Sequence, residues 1–170
     1  MVEAPVVRAL TAADAPAYRE VRLTALQTDP LAFITTAAEF AVRPLPDIAV
    51  RLDPTADAVT FGAFMAGELV GILTVSREER PALRHRGNVF GVSVLPVARG
   101  RGCGDALLRA GIAHACTWVG VTALHLGVTE TQHAARRLYE RHGFRVWGTQ
   151  PDAVRHEGRG LAEHHLSLGL

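Results

Sequence analysis

Three glycines at alternate positions, Gly100, Gly102 and Gly104, follow the apolar run Val92-Ser93-Val94-Leu95-Pro96 and lead into Ala106-Leu107-Leu108. Glycine accepts positive φ and lets a ligand approach the backbone where a side chain would block it. A strand that ends in such a loop and continues as a helix aims several unpaired N–H groups at one point, with the positive end of the helix dipole behind them. That arrangement binds phosphate or pyrophosphate. Arg99 and Arg101 add cationic donors beside it. The stretch Arg99-Gly100-Arg101-Gly102-Cys103-Gly104-Asp105 is therefore expected to hold a phosphorylated cofactor. A dinucleotide-binding enzyme is one alternative, since its loop also joins strand to helix. Against it, Gly100-x-Gly102-x-Gly104 lacks the G-x-G-x-x-G spacing. About 20 residues on, where a ribose-binding carboxylate is needed, stand Leu124, His125 and Leu126.

A second constellation lies downstream. Ala135, Leu138, Tyr139 and His142 recur at i, i+3, i+4 and i+7, so Tyr139 should look inward from a helix toward the sheet. His164-His165 sits in a strand pattern that sends the two rings to opposite faces, and no Cys or His stands at ligand spacing from them, so no metal site is expected. Cys103 and Cys116 show no metal-type spacing either; a disulfide framework is not expected, and a reducing cytoplasm fits best.

These residues need a scaffold, and the rest of the chain supplies one. At 170 residues, with 48% hydrophobic and 21% charged residues, one globular domain covering residues 1–170 is expected. The formal net charge of +1 gives no electrostatic reason to expect nucleic acid or an anionic membrane as partner. All 18 basic residues are Arg, which codon bias in a G+C-rich genome explains better than function does. No run approaches the roughly 20 apolar residues of a membrane span, and Met1 to Leu10 is too broken by Glu3, Pro5 and Arg8 for a signal peptide.

Val6 to Leu10 reads as a first strand. Thr11-Ala12-Ala13-Asp14 resembles a capping box opening a helix to about Gln27, with Tyr18, Val21 and Ala25 on its apolar face. Leu31 to Arg43 reads equally as loop or strand, and Pro44 to Leu52 suits a short helix. Two strand-like runs around Ala66-Gly67 form a hairpin from Ala58 to Val75. Ser76 to Gly87 reads as an exposed loop, Asn88 to Val94 as a strand, and Gly102 to about Trp118 as a helix. That helix should set Leu108, Ile112, Ala115 and Val119 against the sheet. Thr122 to Val128 is the next strand. Thr129-Glu130-Thr131-Gln132 matches a capping box for a helix to His142, closed by Gly143. Phe144 to Thr149 and Leu161 to Leu168 are the last strands, with Pro151 to Gly160 crossing the surface between them. Isolated glycines at 91 and 127, inside strand patterns, mark bulges or close backbone approach, or are simply tolerated.

Arg99-x-x-Gly102-x-Gly104, after a strand ending Val-x-Pro and before an Ala-Leu-Leu helix, resembles motif A of the GCN5-related N-acetyltransferase (GNAT) superfamily. Gln132-x-x-Ala135-x-x-Leu138-Tyr139-x-x-x-Gly143-Phe144 is similar to a second block of that family, and the intervening helix and strand match its spacing. Arg22-Leu23-x-Ala25-Leu26-x-x-Asp29-Pro30-x-Ala32-Phe33 is similar to the first-helix segment of many bacterial members. The resemblance implies an α/β fold: a mixed, mainly antiparallel twisted sheet of six or seven strands with about four helices packed on both faces, consistent with the right-handed crossover rule for the strand–helix–strand unit Asn88 to Val128. The fourth and fifth strands should run parallel and splay apart around acetyl-CoA.

The resemblance further implies transfer of an acetyl group from acetyl-CoA to a primary amine of a small molecule or peptide, by direct attack in a ternary complex. Val92, Ser93 and Val94 would pair with the pantetheine arm like an added strand, their backbone donors holding the thioester oxygen. Tyr139 would protonate the departing thiolate, its alternative being a core tyrosine. Gln132, where the family has Asn, either reaches the pantetheine or only caps its helix. Cys103 is expected to be buried filler rather than a nucleophile. A general base must take a proton from the ammonium form of the acceptor. The family's Glu position on the strand before the tyrosine helix falls on Gly127, so Glu78, Glu79, His85 and Asn88 are the alternatives, each also readable as solvated surface. The substitutions at 127 and 132 also fit an inactive CoA-binding module. Acceptor contacts should come from Leu31 to Arg43 and Pro151 to Gly160, where Glu39, Asp152 and Glu157 could draw a cationic amine. Dimers are common among similar proteins.

Overall fold

In the computed structural model, which describes residues 4–170, seven strands form one sheet flanked by five α-helices. In chain order these are Val6–Ala9 (β1), Ala15–Thr28 (α1), Ala37–Ala41 (α2), Leu45–Leu52 (α3), Ala58–Met65 (β2), Glu68–Arg77 (β3), Arg86–Val94 (β4), Cys103–Ala115 (α4), Ala123–Thr129 (β5), His133–Arg141 (α5), Arg145–His156 (β6) and Arg159–Gly169 (β7). The sheet order is β1-β2-β3-β4-β5-β7-β6. Every pairing is antiparallel except β4 with β5.

Strand periodicity divides the core into two layers. Along β3, Ile72 faces one side with Leu10, Leu26, Phe40, Ile48 and Leu52, under α1, α2 and α3. Its neighbours Leu73 and Val75 face the other side with Leu107, Leu108, Leu124, Tyr139 and Phe144, under α4 and α5. The β2–β3 turn needs positive φ at both central residues, and Ala66 and Gly67 adopt 48° and 83°.

At the start of α1 the Thr11 N–H donates to Asp14 Oδ2 at 2.9 Å, and Arg8 holds the same carboxylate with two hydrogen bonds of 2.7 and 2.8 Å. A turn of 3-10 helix, Ala12–Asp14, precedes α1. The segment that reads as loop or strand contains α2, opened by a full capping box. Glu39 N–H donates to Thr36 Oγ1 at 3.2 Å and Thr36 N–H to Glu39 Oε2 at 2.7 Å. Five residues are too few for helical periodicity to show.

Four other expectations are corrected. Helix α4 ends at Ala115, and Val119 stands 89% exposed while Trp118 is buried in its place. The exposed loop expected over Ser76 to Gly87 is shorter at both ends, because β3 runs on to Arg77 and β4 begins at Arg86, and it holds one turn of 3-10 helix, Pro81–Leu83. The proposed cap of α5 does not form: Thr129 Oγ1 donates instead to Leu31 O at 2.8 Å, and Gln132 caps without its side chain. Pro151 to Gly160 is the far end of the β6–β7 hairpin, not a surface crossing. Pro151 is accommodated where the register slips between Gln150 and Val154, with Asp152 at a φ of 50° and its carboxylate held by Arg155.

Candidate active site

Strands β4 and β5 are paired only at their first residues, Arg86 with Ala123, Gly87 with Leu124 and Asn88 with His125. Beyond Asn88 they part. Gly91 contributes to this: it takes a φ of 63° where the β3–β4 register slips, which bends β4. Three cavities meet around the resulting gap.

On the α4–α5 side a groove of about 520 Å³ is lined by Val94, Ala98, Arg99, Gly100, Gly102, Cys103, Gly104, Asp105 and residues of α5. Gly100 and Gly102 have φ of 73° and 80°. The first helical bond of α4 runs from Ala106 N–H to Gly102 O at 2.9 Å, so the N–H groups of Cys103, Gly104 and Asp105 have no partner in the helix. A Cβ at Gly104 would lie 3.0 Å from Leu138 Cδ2. The bare backbone thus lets α5 close against α4 beside a set of free donors, a cradle of the kind a pyrophosphate needs.

The side chains around this cradle are mostly braces. Arg99 Nε donates to Val94 O at 3.1 Å and its guanidinium pairs with Asp29, tying the loop to the end of α1. Asp105 accepts from His142 Nε2 at 2.9 Å and from Arg141 at 3.2 Å, joining α4 to α5. Burial pushes the Asp105 carboxyl up, but the hydrogen bonds from His142 and Arg141 outweigh it and leave it below the ordinary range. Arg101 is exposed and outside the groove lining. Cys103 is buried with its Sγ 3.7 Å from Met65 Sδ, and burial pushes its thiol up, the environment of packing rather than of a nucleophile.

Between the strands, a second cavity of about 290 Å³ is lined by Val89, Gly91, Val92, Gly127, Val128, Gln132, Ala135, Tyr139 and Glu163, with Phe33, Ile34 and Thr35 over it. Ala135 also lines the first groove, so the two adjoin. Val92 faces the gap and Val94 the groove; Ser93 faces neither cavity, its Oγ buried without a partner. The Thr129–Leu31 hydrogen bond holds the α1–α2 connection over this gap. Gln132 Nε2 reaches only Thr131 Oγ1 at 3.4 Å. Tyr139 is buried and packs edge-on against Phe144, 6.2 Å between ring centres. Burial pushes its phenol far above the usual tyrosine range, so it stays protonated.

The carboxylate at the gap is Glu163 on β7, which the sequence reading missed. A Cβ at Gly127 would fall 2.8 Å from Glu163 Cδ and nearer still to Oε1. The Glu163 side chain therefore fills the space that a side chain at 127 would take. Glu78 and Asn88 instead bond each other at 2.8 Å, where β4 and β5 are still paired, and Glu79 and His85 are exposed. Only the β5–β7 register, Gly127 opposite His165 and Thr129 opposite Glu163, could have pointed to Glu163.

A third cavity, about 470 Å³, opens on the α1–α3 side and shares Arg22, Thr35, Phe90 and Gly91 with the gap. Its floor includes Thr60 and Thr74, whose hydroxyls are 2.8 Å apart. The segment Leu31 to Arg43 lines it, through Thr35, Phe40 and Arg43; residues 151–160 line none of the three. The carboxylates expected to draw an amine lie elsewhere: Glu39 caps α2, Asp152 pairs with Arg155, and Glu157 forms the β6–β7 turn.

A cradle of free N–H groups, a splayed parallel strand pair and a buried tyrosine thus adjoin one another. The model of the acetyltransferase (GNAT) family matches residues 23–144. The chain belongs to the GNAT acetyltransferase family. It is 37% identical over 114 residues to the mycothiol acetyltransferase of Salinispora tropica, covering 66% of this chain and 35% of that protein. The chain thus spans about a third of the length of the mycothiol acetyltransferases it matches. The L-amino acid N-acetyltransferase AaaT of Escherichia coli K12 is 32% identical over 105 residues, 62% of this chain and 64% of that one. Salmonella typhimurium YncA, solved with its cofactor acetyl-CoA, superposes with a TM-score of 0.83 at 21% identity, covering 98% of this chain and 94% of that one, and shows the shared GNAT fold.

Proposed function

We propose that the protein transfers an acetyl group from acetyl-CoA to a primary amine in a ternary complex. The observation that carries this reading is the continuity of the three cavities through the β4–β5 gap. A donor of pyrophosphate, arm and thioester fits the groove and gap from one side, and an acceptor can enter from the other. Family membership supports the acetyl donor, and the likeness to the L-amino acid N-acetyltransferase AaaT supports an amine of small size as acceptor.

The residues divide the work by their place around the gap. The N–H groups of Cys103 to Asp105 and the α4 dipole hold the pyrophosphate. Past Asn88, β5 no longer pairs with β4, so the β4 edge at Val92 to Val94 can bond the pantetheine arm and the thioester oxygen, as strand addition and oxyanion stabilisation require. Glu163 takes a proton from the attacking amine, directly or through one water. Nitrogen bonds to the acetyl carbon, the carbon–sulfur bond breaks, and Tyr139 gives its proton to the leaving sulfur. Glu163 gives its proton to solvent and solvent returns one to Tyr139, so the acetyl group passes from thiol to amine and one proton, in net, from amine to thiol.

Release of free thiol from acetyl-CoA, followed with a panel of primary amines, tests the reading. Amine-dependent thiol release supports it. Binding of acetyl-CoA with no thiol release from any amine would make the protein a CoA-binding module instead.

A further inference from the structure

The third cavity carries an unusual charge. Arg22, Arg43 and Arg51 all line it, with no acidic side chain among its lining residues. None of the three forms an ion pair among the described residues; other arginines are also unpaired, and what sets these apart is that they line one cavity together. Arg22 is stacked on Phe33, 4.4 Å from its ring centre, and its Nη1 is buried without a hydrogen-bond partner. That atom lies beside Gly91, 4.0 Å from where a Cβ there would stand, at the boundary with the reaction gap. Burial pulls the Arg22 guanidinium below its usual value, and the charge of Arg43 adds to the fall. Tyr18, also in the lining, is pushed up by burial while all three guanidiniums pull it down, which places their fields on one point.

An uncompensated cluster of this kind repels a polyamine or a lysine-rich peptide and attracts an anion. Guanidinium forks suit a planar carboxylate especially well. The remaining walls are apolar, from Phe40, Ile48, Leu52 and Phe90, and a volume of about 470 Å³ is that of a small-molecule site. One ligand meets all three demands: a carboxylate for the arginines, an apolar side chain for the walls, and an amine that reaches past Gly91 to Glu163.

We infer that the acceptor is a free amino acid with an apolar side chain, its carboxylate read by Arg43 and Arg51 at the cavity and by Arg22 at its inner end. This rests on the acetyltransferase reading above. The positive field has a second consequence: it favours the neutral over the ammonium form of the acceptor, which eases the proton transfer to Glu163.

The test compares L-phenylalanine, L-phenylalaninamide and phenethylamine as acceptors, with L-leucine and its amide as a second set and a phenylalanine-initiated peptide as a macromolecule-like probe. Acetyl-CoA binding is measured in parallel by calorimetry. The free amino acids should exceed their amides and the decarboxylated amine by at least about ten-fold in kcat/KM, the size of one lost charged hydrogen bond. Arg43→Gln and Arg51→Gln should each raise KM for the amino acid by about ten-fold, lower or leave KM for phenethylamine, and leave acetyl-CoA affinity unchanged. Equal or better use of the amide, the amine or the peptide overturns the inference while leaving the acetyltransferase reading intact. Tight acetyl-CoA binding with no turnover of any free amino acid also overturns it. Failure of acetyl-CoA to bind overturns the underlying reading instead.

Discussion

Replacing Glu163 with Gln isolates the proton-accepting role, because the side chain keeps its volume and loses only its basicity. The residue is partly exposed, 23% for the side chain, and sits 3.8 Å from His165 Nε2, so the fold should barely notice: a change within about 0.5 kcal/mol is expected. Activity should notice. General-base catalysis is worth roughly 10² to 10⁴ in rate, and the lower end is expected here because the acceptor can also lose its proton to water. At pH 7, kcat/KM for the amine should fall about 100-fold, about 2.7 kcal/mol of barrier. The defect should narrow as pH rises toward the acceptor's own pKa, since free amine then needs no base. Arg22 and Tyr139 also border this space and His165 stands beside Glu163 outside it, so His165→Gln is the control and should keep the wild-type pH profile. Gly127 offers an orthogonal perturbation. A methyl group there lies 2.8 Å from Glu163 Cδ and must displace the carboxylate, so Gly127→Ala should lose about ten-fold in kcat with Tm unchanged or slightly raised. In a Glu163→Ala background, Gly127→Glu should restore part of the lost rate from the neighbouring strand. Steady-state thiol release across pH 6 to 10, with thermal melts of each variant, reads all of this. Wild-type kcat/KM for Glu163→Gln at pH 7, or a defect of constant size at every pH, would refute the assignment.

Tyr139→Phe should lower kcat about 10- to 100-fold with KM for acetyl-CoA nearly unchanged, because the hydroxyl acts on the leaving sulfur and not on cofactor binding; undiminished kcat would return Tyr139 to a packing role. Cys103→Ala should retain most activity and lose about 1 kcal/mol or more of stability in urea unfolding, since its thiol only packs against Met65. The Asp14 carboxyl is held down to about 2, first by the Arg8 hydrogen bonds and then by Thr11. Its folded-state pKa is depressed, so its stabilisation is complete above about pH 4 and is lost as pH falls toward 2. With Arg8 half exposed, the nominal linkage shrinks to about 1 kcal/mol. Asp14→Asn should therefore be less stable than wild type by about that amount at pH 7, and the two should converge near pH 2 in denaturant titrations.

Much of this architecture is written in local signals. The β2–β3 hairpin, the glycine loop and the Tyr139 helix each announce themselves within a dozen residues, through alternation, positive-φ glycines and helical spacing. What was not legible depended on partners far apart in the chain. Glu163 became a site residue only because β7 lies beside β5, and because Gly127 leaves it room. The arginine-lined cavity draws on α1, the turn after α2, and α3, so no single segment displays it. Helix α2 was hidden by its length, and Pro151 disguised a continuing strand as a loop. The expected cap of α5 failed for a similar reason, since Thr129 had a better use in holding Leu31 over the gap.

A crystal structure of the protein with coenzyme A would test the placement of the donor. The pyrophosphate should lie on the N–H groups of Cys103 to Asp105, the arm along Val92 to Val94, and the sulfur in the gap within reach of the Tyr139 hydroxyl. Density for the cofactor outside the β4–β5 gap, or its sulfur on the far side of the sheet from Tyr139, would contradict the mechanism set out above.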